Sequence, residues 1–140
     1  MERTMSESLS KESLIEIAES IIELARKLGI FLETNFGNLT DTEFTTLHFL
    51  QARLASTAGD LARQAATIEQ TGIKDLQDQL EKATAEALRA IQKIEQSKQM
   101  LTFAAAVLDF AVSLSMGVTT GKWTGVVTAG SKVVQLAATI

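Results

Sequence analysis

A chain of 140 residues that is 46% hydrophobic and 21% charged, with no cysteine and no proline, has the size of one domain and can bury a single core without covalent staples. Its formal net charge of −4 excludes the basic face that phosphate backbones require, so nucleic acid is not an expected partner. The lack of cysteine excludes disulfides, thiol nucleophiles and thiolate metal sites.

The absence of proline, with Ala and Leu abundant and only 5% aromatic residues, predicts an all-α fold: an elongated bundle of about four helices in one domain, residues 1–140. MERTMSESLS at the N-terminus holds two glutamates and no apolar run, so a secretory signal is not expected and the location is read as cytoplasmic or membrane-associated.

The first helix is expected from about Ser10, whose hydroxyl can cap an orphan N–H. Leu14, Ile21 and Leu28 occupy one heptad position and Ile17, Leu24 and Phe31 the other, which makes a complete bundle seam. Glutamates early and Arg26-Lys27 late suit the helix dipole. TNFGNLTD then supplies the turn residues Asn35, Gly37 and Asn38, which tolerate positive φ or bond their own backbone. Thr40 and Glu43 have capping-box spacing and predict a second helix from about residue 41. Leu47, Leu54, Leu61 and Ile68 carry it forward, and Gly72 is its expected stop.

A third pattern, with Ile73, Leu80, Ala87, Ile94, Leu101 and Leu108 on one heptad position and Leu76, Ala83, Ala90, Ala104 and Ala111 on the other, runs on to about Met116. As one helix it would be roughly 65 Å long at 1.5 Å per residue, so it either protrudes or bends. Ser97 and the glutamines beside it are its weakest point.

Charge divides the chain in two. All but Lys122 and Lys132 of the 13 basic residues, and all but Asp109 of the 17 acidic ones, lie in residues 1–99. The amphipathic heptad helices are therefore assigned to 1–99 and an apolar helical hairpin to 100–140. MLTFAAAVLDFAVSLSMGV, residues 100–118, holds one charge and is long enough to cross a hydrocarbon layer of roughly 30 Å.

MGVTTGKWTG, residues 116–125, imitates a phosphate-binding loop. That loop needs four residues between its glycines and a hydroxyl after the lysine, between a strand and a helix. Here three residues separate Gly117 from Gly121, and Trp123 follows Lys122. Two backbone readings compete: a small-residue ladder of Gly117, Gly121 and Gly125 in a continuous helix, or the turn of a hairpin built on Gly117, Thr120, Gly121 and Gly125. Folding back at residues 120 and 121 brings Asp109 opposite Lys132, so an ion pair between them is expected, and this favours the hairpin.

Phe103, Val107, Phe110, Leu114 and Met116 are spread around the helix, where a surface helix would keep one polar side. With Lys122 and Trp123 at the bend, they are the expected contacts with a membrane or an apolar partner. The competing reading puts the hairpin in the core of a soluble bundle, with Trp123 plugging its end.

His48 is the only histidine, and Glu43 lies five positions before it, so the Glu-x-x-His spacing of di-iron bundles is absent. Asp75, Asp78 and Glu81, interleaved with Lys74 and Lys82, read as a solvated face. No catalytic, cofactor-binding or metal-ligating residues are assigned, and no enzyme activity is expected. The layout is similar in architecture to helical pore-forming proteins, without a residue motif to support it. The function expected is a non-enzymatic assembly protein whose hairpin inserts into a membrane or docks on a hydrophobic partner. The alternative is a soluble adaptor or structural subunit that oligomerises through its heptad helices. Partners are then a second copy, a helical protein or a lipid membrane.

Overall fold

The computed structural model describes residues 11–66 and 74–140, apart from the side chains of Lys11, Lys74 and Asp75. Every regular element among them is helical: α1 (Lys11–Thr34), α2 (Asp41–Ala65), α3 (Lys74–Ile91), α4 (Ser97–Thr120) and α5 (Thr124–Ala138), with a 3-10 turn at Phe36–Asn38. The all-α expectation holds, with five helices in place of about four. Ser10, Ile68, Gly72 and Ile73 lie outside the described residues, and α2 closes at Ala65, short of the expected stop at Gly72.

The fifth helix arises because the long third pattern is broken. After Ile91 the chain makes a short turn, with the Lys93 and Ile94 N–H groups donating to the Ala90 and Ile91 carbonyls. Ile94 turns into the core while Gln92, Lys93, Glu95 and Gln96 stay exposed. Gln96 is extended, and α4 starts at Ser97, at the polar weak point of the seam. The physical reason is burial: a straight rod leaves its apolar second half in water, whereas folding back sacrifices a few backbone hydrogen bonds and covers that half. The inward face of α4 is Met100, Phe103, Ala104, Val107, Phe110, Ala111 and Leu114, so Leu101 and Leu108 fall to its half-buried margin.

The helices close into a ring in which α1 packs on α2 and α3, α2 on α4, α4 on α5, and α5 on α3. One continuous core fills the centre, and both heptad positions of α1 are in it from Leu14 to Phe31. Side-chain clips fasten elements far apart in sequence. Ser13 donates to Glu81 at 2.8 Å, joining α1 to α3, and Ser97 donates to Glu43 at 3.0 Å, joining the starts of α2 and α4.

The capping box at α2 forms as spaced. The Thr40 N–H donates to the Glu43 carboxylate and the Glu43 N–H to the Thr40 hydroxyl, both at 3.0 Å. In the preceding turn the Asn35 amide donates to the Phe31 carbonyl at 3.0 Å, closing α1. Gly37 keeps a negative φ there, since Gly121 is the only positive-φ residue among those described.

Glu43 also carries the pH sensitivity of this end. The Thr40 backbone N–H, and after it the Ser97 hydroxyl, hold its carboxyl below the ordinary 4.5. A carboxylate whose folded pKa is depressed stabilises the fold above its unfolded value, and loses that contribution as pH falls through the folded one. The wild type is therefore expected to be more stable than Glu43→Gln at neutral pH, with the difference shrinking below pH 4.5, as read by urea denaturation across pH.

Candidate functional site: the α4–α5 hairpin and its tip

Gly121 ends α4 in the left-handed conformation, φ 78°, with its N–H donating to the Gly117 carbonyl. Glycine alone adopts that conformation without a Cβ penalty. The Thr120 hydroxyl donates to the Met116 carbonyl at 2.9 Å and accepts from the Lys122 N–H at 3.2 Å. It therefore serves the end of α4. Trp123 occupies the N-cap of α5 with no side-chain cap bond, and Thr124 is already helical, so neither threonine caps α5.

The glycines of MGVTTGKWTG divide by task. A Cβ on Gly117 would stand 2.8 Å from Val126 and 3.0 Å from the Trp123 ring, while one on Gly125 would meet nothing within 4 Å. Gly117 allows α4 and α5 to touch, Gly121 turns the chain, and Gly125 faces open space. A continuous ladder is thereby replaced by a turn with one close approach at its base. Lower in the hairpin a second approach occurs at Gly130, where a Cβ would lie 3.1 Å from the Phe110 ring and 3.6 Å from the Ala83 Cβ.

Asp109 and Lys132 are both exposed, and the ion pairs of the described residues do not include them. Their expected pairing is corrected for a physical reason: the hairpin is one wall of the ring, so the side of it that carries these charges is wet. A charge in water needs no partner to offset desolvation.

The expected contact residues separate into two sets. Phe103, Val107, Phe110 and Leu114 are in the chain's own core, which corrects their assignment to an outward surface. Met116 is 61% exposed, Lys122 is exposed and Trp123 is half-buried, so the tip alone presents its side chains outward. Along the outer face of the hairpin run small or weakly polar residues, among them Thr102, Ala105, Val127, Thr128 and Ser131.

Polar clips hold this wall to its neighbours. The Gln64 side-chain amide of α2 donates to the Ser115 backbone carbonyl at 3.2 Å and to the Thr119 hydroxyl at 3.0 Å, and the Ser115 hydroxyl donates back to Gln64 Oε1 at 3.3 Å. At the far end of α5 the Arg89 guanidinium donates to the Ala137 carbonyl at 3.0 Å, a cation at a helix C-terminus. No local spacing signals these contacts, because each joins residues about fifty positions apart.

Elsewhere, His48 is exposed and stacks on Phe44 at 5.9 Å, and Phe44 meets Phe36 edge-on at 5.5 Å. These rings border an open cleft that Gln51 and Glu33 also line. Among the described residues no three histidine, aspartate or glutamate side chains are grouped to share a metal ion. Compared with known protein families, curated proteins and solved structures, the chain matches none.

Proposed function

We propose that the chain is a non-enzymatic helical assembly protein that stays closed in water and works by releasing the α4–α5 hairpin onto an apolar surface, a lipid membrane first of all. One observation carries the reading. α4 is long and apolar enough to cross a membrane, yet only 44% of its most apolar 18-residue window is buried within the chain. A core helix of the same composition would be mostly enclosed. The rest of that window is half-buried or exposed and consists of small, hydroxyl and aliphatic side chains with the single charge of Asp109, while Met116, Lys122 and half-buried Trp123 stand at the tip, where an aromatic ring and an amine suit an interface between hydrocarbon and water.

The closed form is the store of apolar surface. Phe103, Val107, Phe110 and Leu114 pack inward, and release exposes them for burial in lipid. The fasteners on the hairpin are mostly neutral hydrogen bonds from Gln64, each contributing about 0.5–1.5 kcal/mol net, with one charged bond from Arg89. The non-enzymatic part rests on the residue inventory: the chain has no cysteine and no tyrosine, and its one histidine, His48, is exposed and stacked on Phe44.

The test uses the chain's lack of cysteine. A 3.6 Å Cβ separation between Ala83 and a side chain at position 130 falls in the disulfide range of about 3.5–4.5 Å. The Ala83→Cys/Gly130→Cys variant therefore locks α5 to α3 once the Phe110 ring gives by a few tenths of an ångström. With phosphatidylcholine vesicles, chosen because the net charge is −4, the reduced variant is expected to float and the oxidised one to stay in solution. Equal flotation of the two forms rules out hairpin release. No flotation of the reduced variant or the wild type overturns the membrane reading and leaves a soluble adaptor whose hairpin is only core.

A further inference from the structure

We infer that the outer face of α1 is a self-association surface on which two copies of the chain pair antiparallel. The inward seam of α1 is spent on the chain's own core, so self-assembly has to use another face. That face is not the polar one expected of a surface helix. Ile15, Ile22 and Ile30 are 37%, 42% and 51% exposed, and with Glu19 and Arg26, also exposed, they fall on a single stripe at 3.6 residues per turn.

Charge selects the partner and its direction. The first half of α1 is acidic, with Glu12, Glu16, Glu19 and Glu23, and Arg26 and Lys27 follow. A parallel second copy would set Glu19 against Glu19 and Arg26 against Arg26. An antiparallel copy, centred between Ile22 and Glu23, sets Ile15 against Ile30, puts the two Ile22 side chains on either side of the two-fold axis, each level with Glu23 of the other copy, and places Glu19 opposite Arg26 twice. The same stripe is thus complementary to itself, as a two-fold interface requires. Glu12 then meets Glu33 only at the wet ends, where screening is strong.

The stripe ends beside a cavity. Beside Ile30 lies a cleft of about 340 Å³ between the ends of α1 and α3, lined by Lys27, Phe31, Asn35, Ile91 and Ile94 among others. It meets the stripe at Ile30 alone. Arg26 donates to Glu23 of its own helix at 2.6 Å, so its guanidinium would be shared between Glu23 and Glu19 of the second copy.

The experiment is sedimentation equilibrium of the full chain and three charge variants, each checked by circular dichroism. The wild type is expected to dimerise at concentrations on the order of 100 μM, the weak end for one helix-pair contact, and less so at high salt. Arg26→Glu and Glu19→Arg should each weaken the dimer about tenfold, since each turns two attractive pairs into two repulsive ones. Mixed together, those two variants should form a heterodimer of wild-type strength. Glu19→Arg/Arg26→Glu, which exchanges the charges, should dimerise as the wild type does.

A monomeric wild type at that concentration overturns the inference, as does a mixture that fails to pair while both variants stay folded. Restoration in neither the mixture nor the exchanged variant would exclude this register. None of these outcomes depends on vesicle binding, so this surface and the proposed hairpin release stand or fall separately.

Discussion

Phe110→Ala is expected to cost about 4 kcal/mol, a large share of the roughly 5–15 kcal/mol that holds a domain of this size together. Phe110 is 2% exposed, and its ring lies where α4, α5 and α3 meet, against Gly130 and close to Ala83. Truncation leaves a cavity faced by a glycine, which has no side chain to relax into it, so little of the loss is recovered. Met116→Ala, in the same helix but 61% exposed, should change stability by less than about 0.5 kcal/mol. Urea denaturation at constant m distinguishes the two, and it also supports a double-mutant cycle. Gly130→Leu alone overpacks the site, whereas Phe110→Ala/Gly130→Leu puts the new side chain into the vacated space. The double variant should be more stable than the sum of its parts by at least about 1 kcal/mol. Strict additivity would mean that the ring and the glycine do not share a site.

The same contact shows what the sequence discloses and what it withholds. Leu14, Ile17, Ile21, Leu24, Leu28 and Phe31 are legible as a seam because each residue's burial follows from its spacing along one helix, and all six are in the core. The Thr40–Glu43 box is legible for the same reason: both halves lie within one turn. Gly130 facing Phe110, and Gln64 reaching Ser115, are contacts between helices, and no local pattern encodes them. The heptad that runs through residue 94 kept its period across a break, because the same spacing serves a straight helix and two helices folded back on each other. Asp109 and Lys132 failed for a related reason. Their matched distance from the bend was visible, but their exposure depends on which face of the hairpin meets α2 and α3.

Composition was a better guide to the hairpin's boundary than to its surface. Loss of charge after residue 99 marked α4 and α5 as different from the rest, and they form one wall of the ring. The assignment of large apolar residues to the outside went astray because a ring of five helices has a wide interior. α4 turns a broad arc inward, and Phe103, Val107, Phe110 and Leu114 all fit within it. What the hairpin turns outward is small residues, Met116, Val127 and the charges of Asp109, Lys122 and Lys132, so its affinity for an apolar surface resides chiefly in what release would uncover.

Gly117→Leu is therefore the substitution expected to act most directly on the tip. At this point α4 and α5 are so close that a Cβ alone would stand 2.8 Å from Val126 and 3.0 Å from the Trp123 ring, and Val126 is itself fully buried. Two effects oppose each other. Replacing a helical glycine gains up to about 1 kcal/mol of backbone entropy, while forcing a branched side chain into a filled contact costs about 1–3 kcal/mol. The clash involves two side chains of α5 and its cap, not the tip of one flexible chain, so the steric term wins and a net loss of about 1–2 kcal/mol is expected. Gly125→Ala should go the other way, gaining about 0.5–1 kcal/mol, because nothing lies within 4 Å of a Cβ there. The readout is built in: Trp123 is the only tryptophan and is half-buried against Gly117, so its emission should shift to the red in Gly117→Leu and stay put in Gly125→Ala. If hairpin release governs vesicle binding, Gly117→Leu should also float at lower lipid concentration than the wild type. A red shift without that gain would separate loosening of the tip from release of the hairpin, and would place the restraint deeper, at Gly130 and the Gln64 and Arg89 clips.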